Sequence, residues 1–221
     1  SLLDLASRLW AVPLGWSLID LATGPEGRSL LIGLDGGRVA VDRRWRELQA
    51  IEKELRAVKA GAASEIHLQK IEAEEALARR RQAADALHWG RAALVGRIVT
   101  SPERTCRLAR RVLDLCAAGG RHSWTHRVQC HLGVGLVRFA FEPGFQEVAA
   151  RRLLLDVAGV VREIGGYRAL DRAPNHPLWG WDAWGVSPVL QERMQHIRMV
   201  FDPRGVLMPW PQERAMGGAV R

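Results

Sequence analysis

Cysteine is scarce in this sequence, and a long apolar run is absent. Its three cysteines, Cys106, Cys116 and Cys130, are widely spaced and form no CxxC pair. This excludes an iron–sulfur ligand series and favours a reduced, cytoplasmic protein. Because no run of about 18 apolar residues occurs, we expect no membrane span. The first residues lack a basic start and a cleavage site, so we also expect no secretory signal.

Charge of one sign is in excess, and the excess needs an explanation. The net charge is +8, from 32 Lys and Arg against 24 Asp and Glu. A basic chain suits an acidic partner or nucleic acid. Here, however, the basic residues are mostly arginines that lie among acids on helical faces, so we expect a solvated surface and no nucleic-acid partner. With 48% apolar residues, the chain is able to bury a substantial core.

The first part of the chain predicts little sheet and much helix. Residues 1–38 read as an apolar helix, a loop and one strand, Ser29–Leu34, that join the main domain. Residues 39–90 are dominated by helix formers with a thin apolar stripe and charges of alternating sign, and Gly61 divides them. We interpret this segment as an inserted, charged helical arm with solvent on most faces.

From residue 91 to residue 175 the elements follow a regular order. The predicted strands are Leu94–Thr100, Arg121–Cys130, Gly133–Phe141 and Tyr167–Arg172, and the predicted helices are Pro102–Ala117 and Phe145–Ile164. The order β-α-β-β-α-β is that of a ferredoxin-like unit, an α+β fold with an antiparallel sheet and helices on one face. Its first strand should be central, between the third and the fourth.

The last ordered segment, residues 176–210, is a Trp-rich loop followed by a closing helix. Leu190, Met194, Ile197 and Phe201 recur at spacings of three and four, which predicts one apolar stripe over Val189–Phe201. Asp202-Pro203 ends this helix, because proline disfavours the helical conformation of the residue before it. Residues 211–221 are expected to be a flexible tail.

Three phrases in this half of the chain resemble the C-terminal domain of FAD-linked oxidases of the vanillyl-alcohol oxidase type. They are Asp171-Arg-Ala-Pro174, Asp182-Ala-Trp-Gly185 and Phe201-Asp-Pro-Arg-Gly-Val-Leu207. The phrases are most similar to those of the smaller FAD-binding subunit of bacterial glycolate oxidase. The chain departs from the family at Met208-Pro-Trp210, where Asn-Pro-Gly is usual.

The resemblance implies a function and a set of partners. It implies the substrate, or cap, part of an FAD-dependent oxidoreductase that oxidises a small 2-hydroxy acid such as glycolate or lactate. The glycine-rich pyrophosphate loops of the family are absent from residues 1–93, so FAD is expected to be held mainly by another domain or subunit. Other oxidase subunits, including an iron–sulfur subunit, are further expected partners. Trp184 and Asp202 would contact the cofactor.

The hairpin phrase of the family, H-x-G-D-G-N-x-H, is only partly present. His131, Gly133 and Gly135 remain, whereas Val134, Leu136 and Arg138 replace the acid, the amide and the second histidine. One histidine is not a metal site, so we predict no metal. His131 would accept the substrate's hydroxyl proton, since histidine titrates near neutrality.

Three arginines are candidates for binding the substrate carboxylate. Arg97, Arg138 and Arg172 fall on strands that are neighbours in the predicted fold. A guanidinium binds a carboxylate with two parallel hydrogen bonds, which a 2-hydroxy acid would need. Two other hypotheses stay open: a non-catalytic assembly subunit of a flavin dehydrogenase complex, and, more remotely, an RNA-binding ferredoxin-like domain.

Overall fold

The structure is a computed structural model that describes residues 2–12, 16–24, 27–58, 68–87, 94–118, 126–142, 147–172, 183–204 and 206. The helices are α1 (Leu2–Ala11), α2 (Arg38–Val58), α3 (Ala73–Leu87), α4 (Pro102–Ala118), α5 (Glu147–Ile164) and α6 (Pro188–Phe201). The strands are β1 (Leu18–Gly24), β2 (Gly27–Gly33), β3 (Leu94–Val99), β4 (His126–His131), β5 (Leu136–Phe141) and β6 (Tyr167–Arg172). No helix of these ranges is long and apolar enough to cross a membrane.

The strands form one antiparallel sheet in the order β2-β1-β4-β5-β3-β6. Within it, β3, α4, β4, β5, α5 and β6 form the predicted ferredoxin-like unit. Strand β3 is central and pairs with β5 on one side and with β6 on the other. The α+β class with an antiparallel sheet and helices is therefore confirmed. The β1–β2 hairpin extends the sheet beyond β4, where a ferredoxin-like unit would end.

The core lies between the sheet and helices α1, α4 and α5. Alternate residues of β5, namely Val137, Phe139 and Phe141, are almost completely buried in it. Alternation divides β5 into two faces, since Leu136 and Arg138 on the opposite face are only half-buried. Val134, predicted for the same strand, lies instead in a 3-10 turn, Leu132–Val134, and is exposed.

Ion pairs between helices use much of the charge on the outer surface. Asp4 of α1 pairs with Arg110 of α4 at 2.6 Å. Glu163 of α5 accepts from Arg107 at 2.8 Å and from Arg111 at 3.3 Å. These side chains are largely exposed, and such pairs contribute little stability individually. They do show that many arginines of the helices have acidic partners, as the sequence pattern predicts.

Strand β1 was missed by the sequence analysis, which assigned residues 1–27 to a helix, a loop and a turn. Ile19, Asp20, Leu21 and Thr23 are all buried. A strand that is buried on both faces lacks the alternation of apolar and polar residues that identifies a half-buried strand. The acidic residue within it further disguised the pattern.

The segment predicted as a solvated arm contributes to the core. Leu48 and Leu55 of α2 are buried and belong to the main core cluster, and α2 packs on α1. Helix α3 contacts β4 and β5. The sequence predicts that this second helix begins at Ile66. In the structure α3 begins at Ala73, and residues 68–72 before it are not helical. Residues 66 and 67 lie outside the described ranges. The domain boundaries at 39 and 90 remain a prediction.

The closing helix α6 forms as predicted, but its apolar stripe is not covered. Ser187 caps the helix by accepting a hydrogen bond from the N–H of Leu190, and Pro188 occupies its first turn. No residue of α6 is buried within the described structure, and Phe201 is 81% exposed. Apolar periodicity predicts that a helix has a packing face but does not identify what packs against it.

We predict that Gly135→Ala destabilises the protein and that Gly133→Ala does not. Gly135 has a φ of 72°, and a Cβ there would collide with the carbonyl oxygen of Thr100. The expected loss is at least about 1–3 kcal/mol of unfolding free energy, the usual cost of a strained backbone. At Gly133 a Cβ meets nothing within 4 Å. Urea unfolding of both variants provides the test; equal stability would show that the turn rearranges freely.

A second substitution tests whether α2 is part of the core. Leu48→Ala should cost about 2–4 kcal/mol, because it removes buried methyl groups and leaves a cavity. Val39→Ala on the same helix is the control and should change little, since Val39 is 83% exposed. If Leu48→Ala melts like the control, α2 is the solvated arm that the sequence predicted.

Candidate functional site

The sheet face opposite α1, α4 and α5, called the second face, carries most of the predicted site residues. The strand registers align its side chains in rows across the sheet. The first row consists of Leu31, Asp20, His131, Leu136, Val99 and Tyr167. The second row consists of Ser29, Ala22, Gln129, Arg138, Arg97 and Ala169. The third row contains Arg127, Ala140, Val95 and Arg172. Polar and charged groups therefore concentrate near the middle of the second face.

Arg97 and Arg138 are direct partners on neighbouring strands. Their Cα atoms are paired in the β3–β5 ladder. Side chains opposite one another are roughly 5 Å apart at Cβ, and like charges in such a pair repel. Asp171 compensates Arg97, with a carboxylate oxygen 3.6 Å from its Nη2. Arg138 makes no hydrogen bond or ion pair with any described residue, so within the described structure two guanidinium groups have one carboxylate partner.

Arg172 and Arg127 lie in the next row, on either side of a small apolar centre. Val95 pairs with Arg172 on one side and with Ala140 on the other, and Ala140 pairs with Arg127. Val95 and Ala140 form a buried cluster separate from the main core. Four neighbouring strands thus each contribute one arginine to the second face. Three of these arginines were predicted from the sequence as site residues, and Arg127 was not.

His131 is paired with a buried carboxylate. Its Nδ1 is 2.9 Å from Oδ1 of Asp20, and the two residues are register partners on β4 and β1. The side chain of Asp20 is 6% exposed and that of His131 is 17% exposed. A histidine oriented by a carboxylate in this way is a recurrent arrangement in proton-transfer sites. Asp20 was not predicted as a site residue.

Gln129 adds an unsatisfied acceptor beside this pair. It lies two residues before His131 on the same strand and face, and it is 3% exposed. Its Oε1 is buried and has no hydrogen-bond partner among the described residues. A buried acceptor without a donor costs free energy. A bound molecule with a hydroxyl or ammonium group would remove that cost.

The two predicted cofactor contacts, Trp184 and Asp202, lie on either side of helix α6. The Asp202 carboxylate accepts a hydrogen bond of 2.7 Å from the N–H of Val206 and lies 3.9 Å from Arg198, so it closes the turn after α6. Trp184 packs partly against the main core. Their roles as cofactor contacts stay a prediction. Residues 173, 174, 182, 205 and 207 of the family phrases lie outside the described residues.

Two other kinds of site lack support in the described ranges. The described ranges contain no group of three or more His, Cys, Asp or Glu residues placed to hold a metal ion. The second face carries one aromatic residue in the described strands, Tyr167 on the outer strand β6. Single-stranded RNA is usually held by bases stacked on aromatic side chains. This surface is therefore poorly suited to RNA.

Comparison with protein-family models found no match to this chain, and comparison with curated proteins found none either.

The three thiols are free and shielded, which gives a direct test of the packing around the sheet. Burial raises the pKa of the Cys116 thiol to about 12 and also raises the pKa of Cys130, which is completely enclosed. Burial raises the pKa of Cys106 as well, although the nearby Arg110 acts in the opposite direction. Since the thiolate is the reactive form, a raised pKa slows alkylation.

We therefore predict that iodoacetamide at pH 9 labels Cys106 first and labels Cys116 and Cys130 only slowly in the native chain. At this pH an ordinary thiol is largely ionised, whereas these two remain protonated. In urea all three should react at similar rates, which mass spectrometry can follow. Rapid labelling of Cys130 in the native chain would contradict the packing described here.

Proposed function

We propose that this chain is the substrate-binding part of an FAD-dependent oxidoreductase that oxidises a small 2-hydroxy acid. The observation that supports the proposal is the Arg97–Arg138 pair, two guanidinium groups that have one carboxylate partner, Asp171, among the described residues. An anionic ligand would relieve the repulsion between them. A guanidinium offers a carboxylate two parallel hydrogen bonds, so Arg138 is the first candidate for its ligand.

The groups beside Arg138 suit the remainder of such a substrate. Gln129 is its register partner on β4, and His131 follows on the same face. A 2-hydroxy acid carries a hydroxyl group one carbon from its carboxylate. Gln129 Oε1 and His131 are acceptors for that hydroxyl proton, whereas Arg138 binds the carboxylate. Arg172 and Arg127, in the next row, strengthen the positive potential over the site.

FAD is proposed to be held by a separate FAD-binding domain or subunit. In this chain the Asp202 carboxylate accepts a hydrogen bond within the turn after α6. Trp184 and Asp202 are proposed to contact the cofactor from this end of the chain on the resemblance alone. An iron–sulfur subunit as a further partner rests on the resemblance alone. A reducing compartment, and hence the cytoplasm, agrees with three free thiols of which two are buried.

A second hypothesis is that the chain is a non-catalytic subunit that assembles a flavin dehydrogenase complex. The exposed apolar side of α6 favours it. Val189, Leu190, Ile197, Val200 and Phe201 are all exposed in the described structure. Exposed apolar patches commonly mark interaction surfaces. On this hypothesis the arginines of the second face need not bind a substrate.

The substrate proposal is tested by titrating the chain with glycolate and lactate at fixed ionic strength. Arg138→Met should weaken binding about tenfold or more, because a hydrogen bond to a charged group contributes about 1.5–3 kcal/mol. Arg138→Lys should restore part of the affinity, because a point charge cannot supply two parallel hydrogen bonds. Isothermal calorimetry gives the dissociation constants.

The matched control is Arg162→Met, which removes the same charge from the exposed end of α5. It should leave the affinity unchanged. If Arg138→Met and Arg162→Met bind equally, Arg138 does not bind the carboxylate. If neither acid binds the unmodified chain, the substrate proposal fails and assembly becomes the better explanation.

A further inference from the structure

The Asp20–His131 pair joins two parts of the chain that are 111 residues apart. Asp20 comes from β1, in the hairpin added to the ferredoxin-like unit, and His131 ends β4 of that unit. Their row of the second face is completed on either side by Leu31 and Leu136. The Asp20 carboxylate lies between Leu31 and His131 and is 6% exposed, so it has lost most of its water. Its hydrogen bond to the imidazole is correspondingly important.

The chemistry of the two groups determines which imidazole nitrogen carries the proton. An ionised carboxylate only accepts hydrogen bonds, so the contact of 2.9 Å requires that Nδ1 donates to Oδ1 of Asp20. In the neutral ring the other nitrogen, Nε2, is then a hydrogen-bond acceptor. No described residue donates a hydrogen bond to Nε2. Nε2 of His131 is therefore a hydrogen-bond acceptor whose direction is fixed by the bond from Nδ1 to Asp20.

We infer that Asp20 is a positioning residue, which holds His131 with Nδ1 protonated and presents Nε2 to the hydroxyl group of the ligand. The identity of that ligand rests on the proposed function; the tautomer does not. Asp20 itself need not touch the ligand, because it acts through the imidazole. The buried Oε1 of Gln129, two residues away on the same face, supplies a second acceptor. Together they select a molecule that bears a hydroxyl donor as well as a carboxylate.

The test is a measurement of the His131 tautomer by two-bond proton–nitrogen correlation spectra of the chain with ¹⁵N-labelled histidine. The chain has seven histidines, so the His131→Gln variant identifies the resonance. At pH 8 we expect a protonated Nδ1 and an unprotonated Nε2. In Asp20→Leu, which replaces the carboxylate by an apolar side chain of similar size between Leu31 and His131, the proton should move to Nε2. Asp20→Ala provides the same test if the leucine variant does not fold.

Asp156→Asn on α5 is the control, since it removes a carboxylate that is remote in sequence from the pair and associated with Arg152. It should leave the tautomer of His131 unchanged. A merely structural role for Asp20 would alter stability without setting the tautomer. The inference is overturned if unmodified His131 carries its proton on Nε2, or if folded Asp20→Leu retains the proton on Nδ1.

A second arm separates this inference from the proposed function. Glycolate, which has a hydroxyl group, should shift the Nε2 resonance of the unmodified chain, whereas acetate should not. In Asp20→Leu the shift caused by glycolate should fall at least about tenfold at equal ligand concentration. If the tautomer is as expected but glycolate leaves Nε2 unchanged, the positioning role stands and the 2-hydroxy-acid proposal is wrong.

Discussion

The packing of Phe139 over Gly96 fixes the arrangement of the whole sheet. The two residues are register partners on β5 and β3, and a Cβ at position 96 would collide with the Phe139 ring. The ring fills the space that the missing side chain leaves, and Phe141 meets it edge-on at 6.1 Å between centroids. Because strand side chains alternate, a slip of one residue would turn Phe139 away from the core and turn Arg138 into it. This contact therefore determines which residues the second face presents.

Arginines are paired with acids differently on the two sides of the sheet, and this difference supports the proposed substrate site. On the helices, arginines such as Arg107 and Arg110 have acidic partners on neighbouring helices. On the second face, Arg97 and Arg138 are held opposite one another with Asp171 beside only the first. The hydrogen bonds between β3 and β5 hold the two arginines opposite one another, so their repulsion is not removed by a shift of the strands. A net charge of +8 alone would not have distinguished a solvated arginine from one placed in this way.

The sequence was sufficient for the ferredoxin-like unit but not for what surrounds it. Glycine and proline residues mark the ends of β3, α4, β5 and α5, and alternation in β5 assigns Phe139 to the core and Arg138 to the opposite face. Arg97, Arg138 and Arg172 were therefore predicted to lie on neighbouring strands before their registers were known. Asp20 was not identified, because its strand is buried on both faces and its partner is 111 residues away. Local patterns contain no information about such a contact.

The closing helix shows how a local prediction can be right while its packing stays undetermined. A 14-residue helix is marginal in water by itself, and most helical stability in proteins comes from an apolar face packed on another element. Helix α6 has good caps in Ser187 and Pro188, and β6 holds the segment before it through the Leu170 N–H and the Ala183 carbonyl. None of its residues is buried in the described structure. The caps and the link to β6 therefore fix where α6 begins, whereas the described residues leave the apolar side of the helix largely uncovered.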